Sequence, residues 1–209
     1  MATFEHFQAQ GAPSSQNASL AQLLHRADEL ARSFNSHHTQ SYQHVQLVAS
    51  AMGQLQNLMS LPQTPVTRSR PEGGMRERGM VKVQETIEEA LGGVREALGR
   101  MEGDVEQLNA LLFQADLFLS TPSLALQHGL NPREALSHVS GLFAQYQAEL
   151  IRLREILADF SSEQIGSDEF VEEWRTMKEV DKGQEADLSD LVDVLGSWGS
   201  GGGLDVEMS

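Results

Sequence analysis

Residues 87–119 read IEEALGGVREALGRMEGDVEQLNALLFQADLFL, and this stretch decides the fold. Its apolar residues fall at Ile87, Leu91, Val94, Leu98, Met101, Val105, Leu108, Leu112, Ala115 and Leu119. Alternating steps of four and three put all ten on one seam of a helix, the pattern that specifies a coiled coil or helical bundle. The repeat recurs on either side. Upstream it runs Leu20, Leu24, Ala27, Ala31, Phe34, then Val45, Val48, Met52, Leu55, Met59. Downstream it runs Leu136, Val139, Phe143, Tyr146, Leu150, Leu153, Leu157, Phe160. The upstream seam falters at His38 and Ser41, which predicts a wet or kinked middle, or a break near residues 35–40. No alternating run rich in β-branched residues occurs, so no sheet is expected.

Punctuation between the seams sets the element ends. Ser19 with Gln22 forms a capping-box pair that predicts a helix from about Leu20 to about Ser60. Pro62, Pro65 and Pro71 cannot continue it, and with Arg68, Arg70, Arg76 and Arg78 they mark residues 61–79 as a flexible basic linker. A second helix is expected from about Met80 to Leu119. Its Gly92, Gly93, Gly99 and Gly103 sit off the seam, each costing about 1 kcal/mol against alanine. Ser120-Thr121-Pro122 stops it. Asn131-Pro132-Arg133-Glu134 starts a third helix, with Asn as N-cap and Pro in the first turn. A short fourth helix begins at Ser167, with Phe170, Trp174 and Met177 on one face.

The expected fold is therefore all-α. Residues 1–17 are disordered, residues 18–180 form an elongated antiparallel bundle of three long helices plus the short fourth, and residues 181–209 are an acidic tail. From Glu163 onward there are thirteen acidic and three basic residues. Within that tail Leu188, Leu191, Val192 and Leu195 follow helical spacing between acids, and Trp198 stands just beyond. Residues 187–198 thus read either as a short motif that folds into a partner's groove or as a fifth helix of the bundle. Trp174 and Phe170 read as core, with an interface anchor as the alternative.

Composition excludes several function classes. A net charge of −15 and a pI near 4.8 oppose binding to nucleic acid or to an anionic membrane, since the phosphate interaction would be repulsive over most of the surface. The chain has no cysteine, which removes disulfides, thiolate zinc sites and cysteine catalysis. Residues 1–16 lack the order of a signal peptide and no run is long enough to span a bilayer, so nucleus or cytoplasm is expected.

No constellation supports an enzyme. His37, His38 and His44 are the nearest approach to a ligand cluster, yet His37 and His44 lie two turns apart, about 10 Å, too far to share one ion. The carboxylates of Glu88, Glu89, Glu102, Asp104 and Glu106 lack the paired Glu-x-x-His of di-metal bundles; Glu134 and His138 are spaced by four. No nucleophile elbow, phosphate loop or dinucleotide fingerprint is present, and no cofactor is expected. The linker arginines could grip phosphate or an acidic partner, or hold the chain's own acidic tail. Thr64-Pro65 and Thr121-Pro122 are minimal proline-directed phosphorylation sites.

Tyr146-Gln147-Ala148-Glu149-Leu150 looks like the Tyr-x-x-Glu-Leu of the last long helix in the cyclin-dependent kinase 2-interacting protein family. Residues 170–180, with Trp174 inside, resemble the aromatic segment that follows it, though without that family's closing Pro-Tyr-Val. The likeness in element order covers residues 18–195. It implies a non-enzymatic adaptor in DNA replication and genome maintenance, in an assembly with an AAA-type ATPase, and assigns no site residue.

The functional expectation is an adaptor or structural subunit that meets protein partners through its seams and tail, as a hetero-oligomer or homodimer. One alternative is a regulatory factor whose residues 187–198 recruit a partner while the bundle acts as spacer. Another is a subunit of a kinetochore, trafficking or transcription complex.

Overall fold

In a computed structural model the described backbone covers residues 15–61, 74–120 and 131–200, with side chains for 18–61, 74–120 and 131–197. Five helices follow one another: α1 (Ser15–Ser60), α2 (Met75–Leu119), α3 (Pro132–Ser161), α4 (Ser167–Arg175) and α5 (Lys182–Ser200). The all-α expectation holds, and no strand occurs among the described residues. The first fourteen residues, Thr64, Arg68, Arg70, Thr121, the Trp198 side chain and residues 201–209 lie outside what is described.

α1 and α2 make an antiparallel hairpin about 70 Å long by the rise of a helix. The register is fixed by Arg26 donating to Gln107 (2.7 Å), His37 facing Asp104 (2.9 Å) and Arg76 donating to the Met59 carbonyl (2.7 Å). α2 begins at Met75, five residues before the sequence expectation, because the Glu77 carboxylate accepts the Gly74 amide (3.1 Å) and caps the first turn. Arg76 and Arg78 therefore belong to α2 and not to a linker. Arg76 closes the hairpin tip instead of holding the acidic tail.

α3 lies against this hairpin, with Arg154 on Glu102 (2.6 Å) and the Tyr146 ring stacked on Phe34 at a centroid separation of 4.2 Å. Its start is as expected: Asn131 Oδ1 accepts the Arg133 amide (3.1 Å) and Pro132 takes the first helical position. Its end is a Schellman turn, with the Glu163 amide on the Phe160 carbonyl and the Gln164 amide on the Asp159 carbonyl. Glu163 occupies the left-handed position of that turn at φ 60°. The reversal stacks Phe170 of α4 on Phe160 of α3 (4.2 Å).

α5 corrects the domain division at residue 180. Asp181 Oδ1 accepts the Gly183 amide (2.8 Å) and starts a helix that packs on α1 and α3. Asn35 donates to Glu185 (3.1 Å), and Tyr146 donates its hydroxyl to the same carboxylate. Residues 182–195 are thus part of the bundle. The alternation of leucine and acid decides it, since Leu188 and Leu195 are buried while Asp187, Asp190 and Asp193 face solvent.

α1 is unbroken through the weak point of its seam. Its contact row in the upper half is Val48, Ala51, Leu55 and Leu58, keeping Val48 and Leu55 of the expected row but taking Ala51 and Leu58 in place of Met52 and Met59. Met52 and Met59 are left 36% and 60% exposed. One glycine expectation also fails. Gly93 lies on the α1–α2 seam, where an added Cβ would sit 2.5 Å from the His44 ring, whereas Gly92, Gly99 and Gly103 face open space.

Candidate functional site

The seam defect has a long-range explanation. Trp174, fully buried, donates its indole N–H to Ser41 Oγ (2.8 Å), and His38 Nε2 donates to the Trp174 carbonyl (3.0 Å). A carbonyl can only accept, so the proton of neutral His38 sits on Nε2. Burial holds the His38 pKa below its ordinary 6.5, against a smaller upward pull from the Trp174 bond and Glu149. The two polar residues that interrupt the apolar row are therefore the docking site of α4.

A second polar group secures the segment after α4. Glu149 is fully buried on α3 and accepts from Arg152 Nε (3.2 Å) and from the Glu179 amide (3.0 Å). Arg152 in turn donates to the carbonyls of Glu173 (2.9 Å) and Thr176 (2.8 Å), satisfying the open end of α4. Burial, then the bond to Glu185, pushes the Tyr146 pKa above its ordinary 10.0. The three histidines diverge: His37 meets Asp104, His38 meets Trp174 and His44 covers Gly93. No group of three metal-ligating side chains forms among the described residues. Among the described residues no helix is long and apolar enough to cross a membrane.

The residues expected to bind a partner are placed as follows. Phe170, Trp174, Leu188 and Leu195 are buried in the chain's own core, and Leu191 and Val192 are half-buried against it. In this arrangement they hold the bundle together and offer no free anchor. The most exposed large apolar side chains among the described residues lie elsewhere, at the two ends of the α1–α2 hairpin, while Leu47, Ile151 and Val194 are about half-exposed along the bundle.

At one end α2 exposes Phe113 (74%) and Leu117 (67%). Nearby is an open cleft of about 450 Å³, lined by Leu23, Arg26 and Glu29 of α1 and Gln107, Leu111 and Gln114 of α2. The expected seam skipped both exposed residues, and that is the signal that could have found them: large apolar side chains off the heptad row of a helix whose core positions are already filled.

At the other end the hairpin outruns the bundle. None of residues 52–60 of α1 or 75–89 of α2 is buried. Val45 and Val94, both fully buried, lie on the flank that the rest of the bundle covers. Seven-residue steps along that flank lead to Met52 and Met59 on α1, and back to Ile87 and Met80 on α2. In the antiparallel register these form successive rungs, Val45 with Val94, Met52 with Ile87, Met59 with Met80. The apolar strip thus continues about two turns past its cover. Its α1 side is free of charge: no Asp, Glu, Lys or Arg occurs in residues 33–67. By helical position Arg78, Lys82, Glu85 and Glu89 of α2 fall on the opposite flank. Set against protein-family models, curated proteins and solved structures, the chain matches none.

Proposed function

We propose that this chain is a non-enzymatic helical adaptor, a structural subunit of an intracellular multiprotein complex of nucleus or cytoplasm. One observation carries the reading: the most exposed large apolar side chains stand at both ends of a long hairpin, one flank of whose middle is covered by its own α3, α4 and α5. A closed bundle with two separated apolar ends suits bridging, since exposed patches of this kind are where soluble chains meet other proteins. Phe113 is the expected anchor at the α2 end, because a rigid aromatic supplies most contact energy when a partner pocket desolvates it. The likeness to the cyclin-dependent kinase 2-interacting protein family supports placing the assembly in DNA replication or genome maintenance, alongside an AAA-type ATPase.

The test is a comparison of co-purifying proteins between wild type and the double variant Phe113→Asp/Leu117→Asp, expressed in the chain's own cells. Both positions face solvent, so the variant keeps its far-ultraviolet helical signal. Loss of stoichiometric partners at preserved helicity supports the adaptor. An unchanged partner set, or a wild type with none, refutes it. An AAA-type ATPase among the lost partners selects the replication assignment over kinetochore, trafficking or transcription complexes.

A further inference from the structure

The strip on the projecting end has a symmetry of its own. Its members on α1 are Met52, Gln56 and Met59, and on α2 Met80, Gln84 and Ile87, with Leu91 toward the bundle. Each helix places an apolar residue, a glutamine and an apolar residue over two turns. Both triplets centre on the same level of the hairpin, fixed by Gly79 against Leu58 and Gly93 against His44. Such a face is complementary to itself when turned end over end.

Resting on the reading of this end as a docking face, we infer that its occupant is a second copy of this chain, stalk against stalk, on a two-fold axis perpendicular to the helices. Rotation about that axis lays α1 on the second copy's α1 in opposite direction. Met52 then meets the second copy's Met59, Met80 meets its Ile87, and Gln56 and Gln84 each meet their own equivalents in amide–amide hydrogen bonds. The product is a short antiparallel four-helix bundle made of two hairpins.

Two observations favour a second copy in this orientation. The molecule carries a net charge of −15, so two copies repel over most of their surface. Here α1 presents no formal charge; on α2 the Glu77 carboxylate beyond the end of the strip is engaged by the Gly74 amide, and Glu88 borders the strip beside Ile87. Finally, α3 and α4 form a shoulder where the strip ends, and only opposite-pointing stalks keep the two shoulders apart. Methionine at four of the positions around this end, Met52, Met59, Met75 and Met80, suits a face that must pack on itself.

Size sets the expected strength. Two helices about 10 Å wide over about 17 Å of length bury roughly 350 Å² per copy, the range of weak and transient contacts, not of obligate dimers. The dimer therefore appears only at high concentration. Salt does not weaken it, because no ion pair crosses its centre.

Sedimentation velocity on the full-length chain, from about 10 µM to about 1 mM, should show monomer passing to dimer, and Met52→Glu/Ile87→Glu should raise the Kd at least tenfold with helicity unchanged. The chain has no cysteine, so Gln56→Cys gives a single thiol at the proposed axis, and Gln54→Cys places one on the opposite flank as control. Oxidation should link the first into a covalent dimer and leave the second monomeric. A monomer throughout the range overturns the inference, as does a dimer indifferent to Met52→Glu/Ile87→Glu or equal cross-linking by both cysteines. None of these outcomes touches the Phe113 end, so the adaptor reading stands or falls separately.

Discussion

Replacing Glu149 by alanine should be among the most damaging single changes in the molecule. The carboxylate is fully buried and accepts from Arg152 and from the Glu179 amide. Without it, the half-enclosed Arg152 guanidinium and a backbone amide lose their acceptor together. A hydrogen bond to a charged group is worth about 1.5–3 kcal/mol, and removing one member of a buried pair costs about 3–5 kcal/mol in all. Taking about 4 kcal/mol, and about 2–4 °C of Tm per kcal/mol for a chain of this length, the melting point falls by roughly 8–16 °C. Circular dichroism at 222 nm against temperature and urea reads the loss. Trp174 emission reads its location, shifting to the red because Arg152 no longer holds the end of α4 through Glu173 and Thr176. Glu149→Leu/Arg152→Met should recover at least half of the loss, since it removes both charges at once. A single-variant loss below about 1 kcal/mol, or a double variant as unstable as the sum of the singles, would refute the reasoning.

Further outcomes are expected. Below pH 6.5 the unfolded imidazole binds a proton that buried His38 still resists, so the unfolded state takes up more protons and stability falls with acidification. Urea midpoints at stepped pH should show this slope, and His38→Gln should flatten it. Above pH 10 the sign reverses, because Tyr146 stays neutral in the fold while the unfolded tyrosine ionises, and stability falls as pH rises. Gly99→Ala faces open space and should stabilise by about 1 kcal/mol in thermal melts, whereas Gly93→Ala must displace the His44 ring and should give no such gain. Leu188→Asp puts a charge into the core between α5 and α1, and should cost about 3 kcal/mol or more by urea titration. A free tail would be indifferent to that change.

The helices were legible where one neighbour decides the seam. Val94, Leu98, Met101, Val105 and Leu108 were expected on the buried row and are there. Met52 and Met59 of α1 were placed one residue off the contact row because the apolar arc there, from Val48 through Met59, is wider than a single partner helix covers. A heptad count cannot tell which edge of a broad arc α2 will take. Ser41 and His38 read as a defect because their reason, Trp174, lies more than 130 residues away in the chain. Gly93 looked like a surface glycine since nothing local shows that His44 will fill its missing side chain. Glu149 was visible only as part of Tyr-x-x-Glu-Leu, and its burial depends on Arg152 and on a backbone amide from a segment with no pattern of its own. The acids of α5 hid a core helix, because charge composition averages over faces that Leu188 and Leu195 keep distinct.

α1 touches all four of the other helices, while α3 and α5 reach each other and the far side of the core. Of the five described helices it is also the first to be synthesised. At about 5–20 residues per second, its buried row leaves the ribosome roughly ten seconds or more before Leu195 exists to cover it. During that interval residues 33–67 present apolar side chains with no formal charge to repel a neighbouring nascent chain. α2 follows directly and covers most of α1, but the part of the row that α4 and α5 cover stays open until the end of the described chain is made.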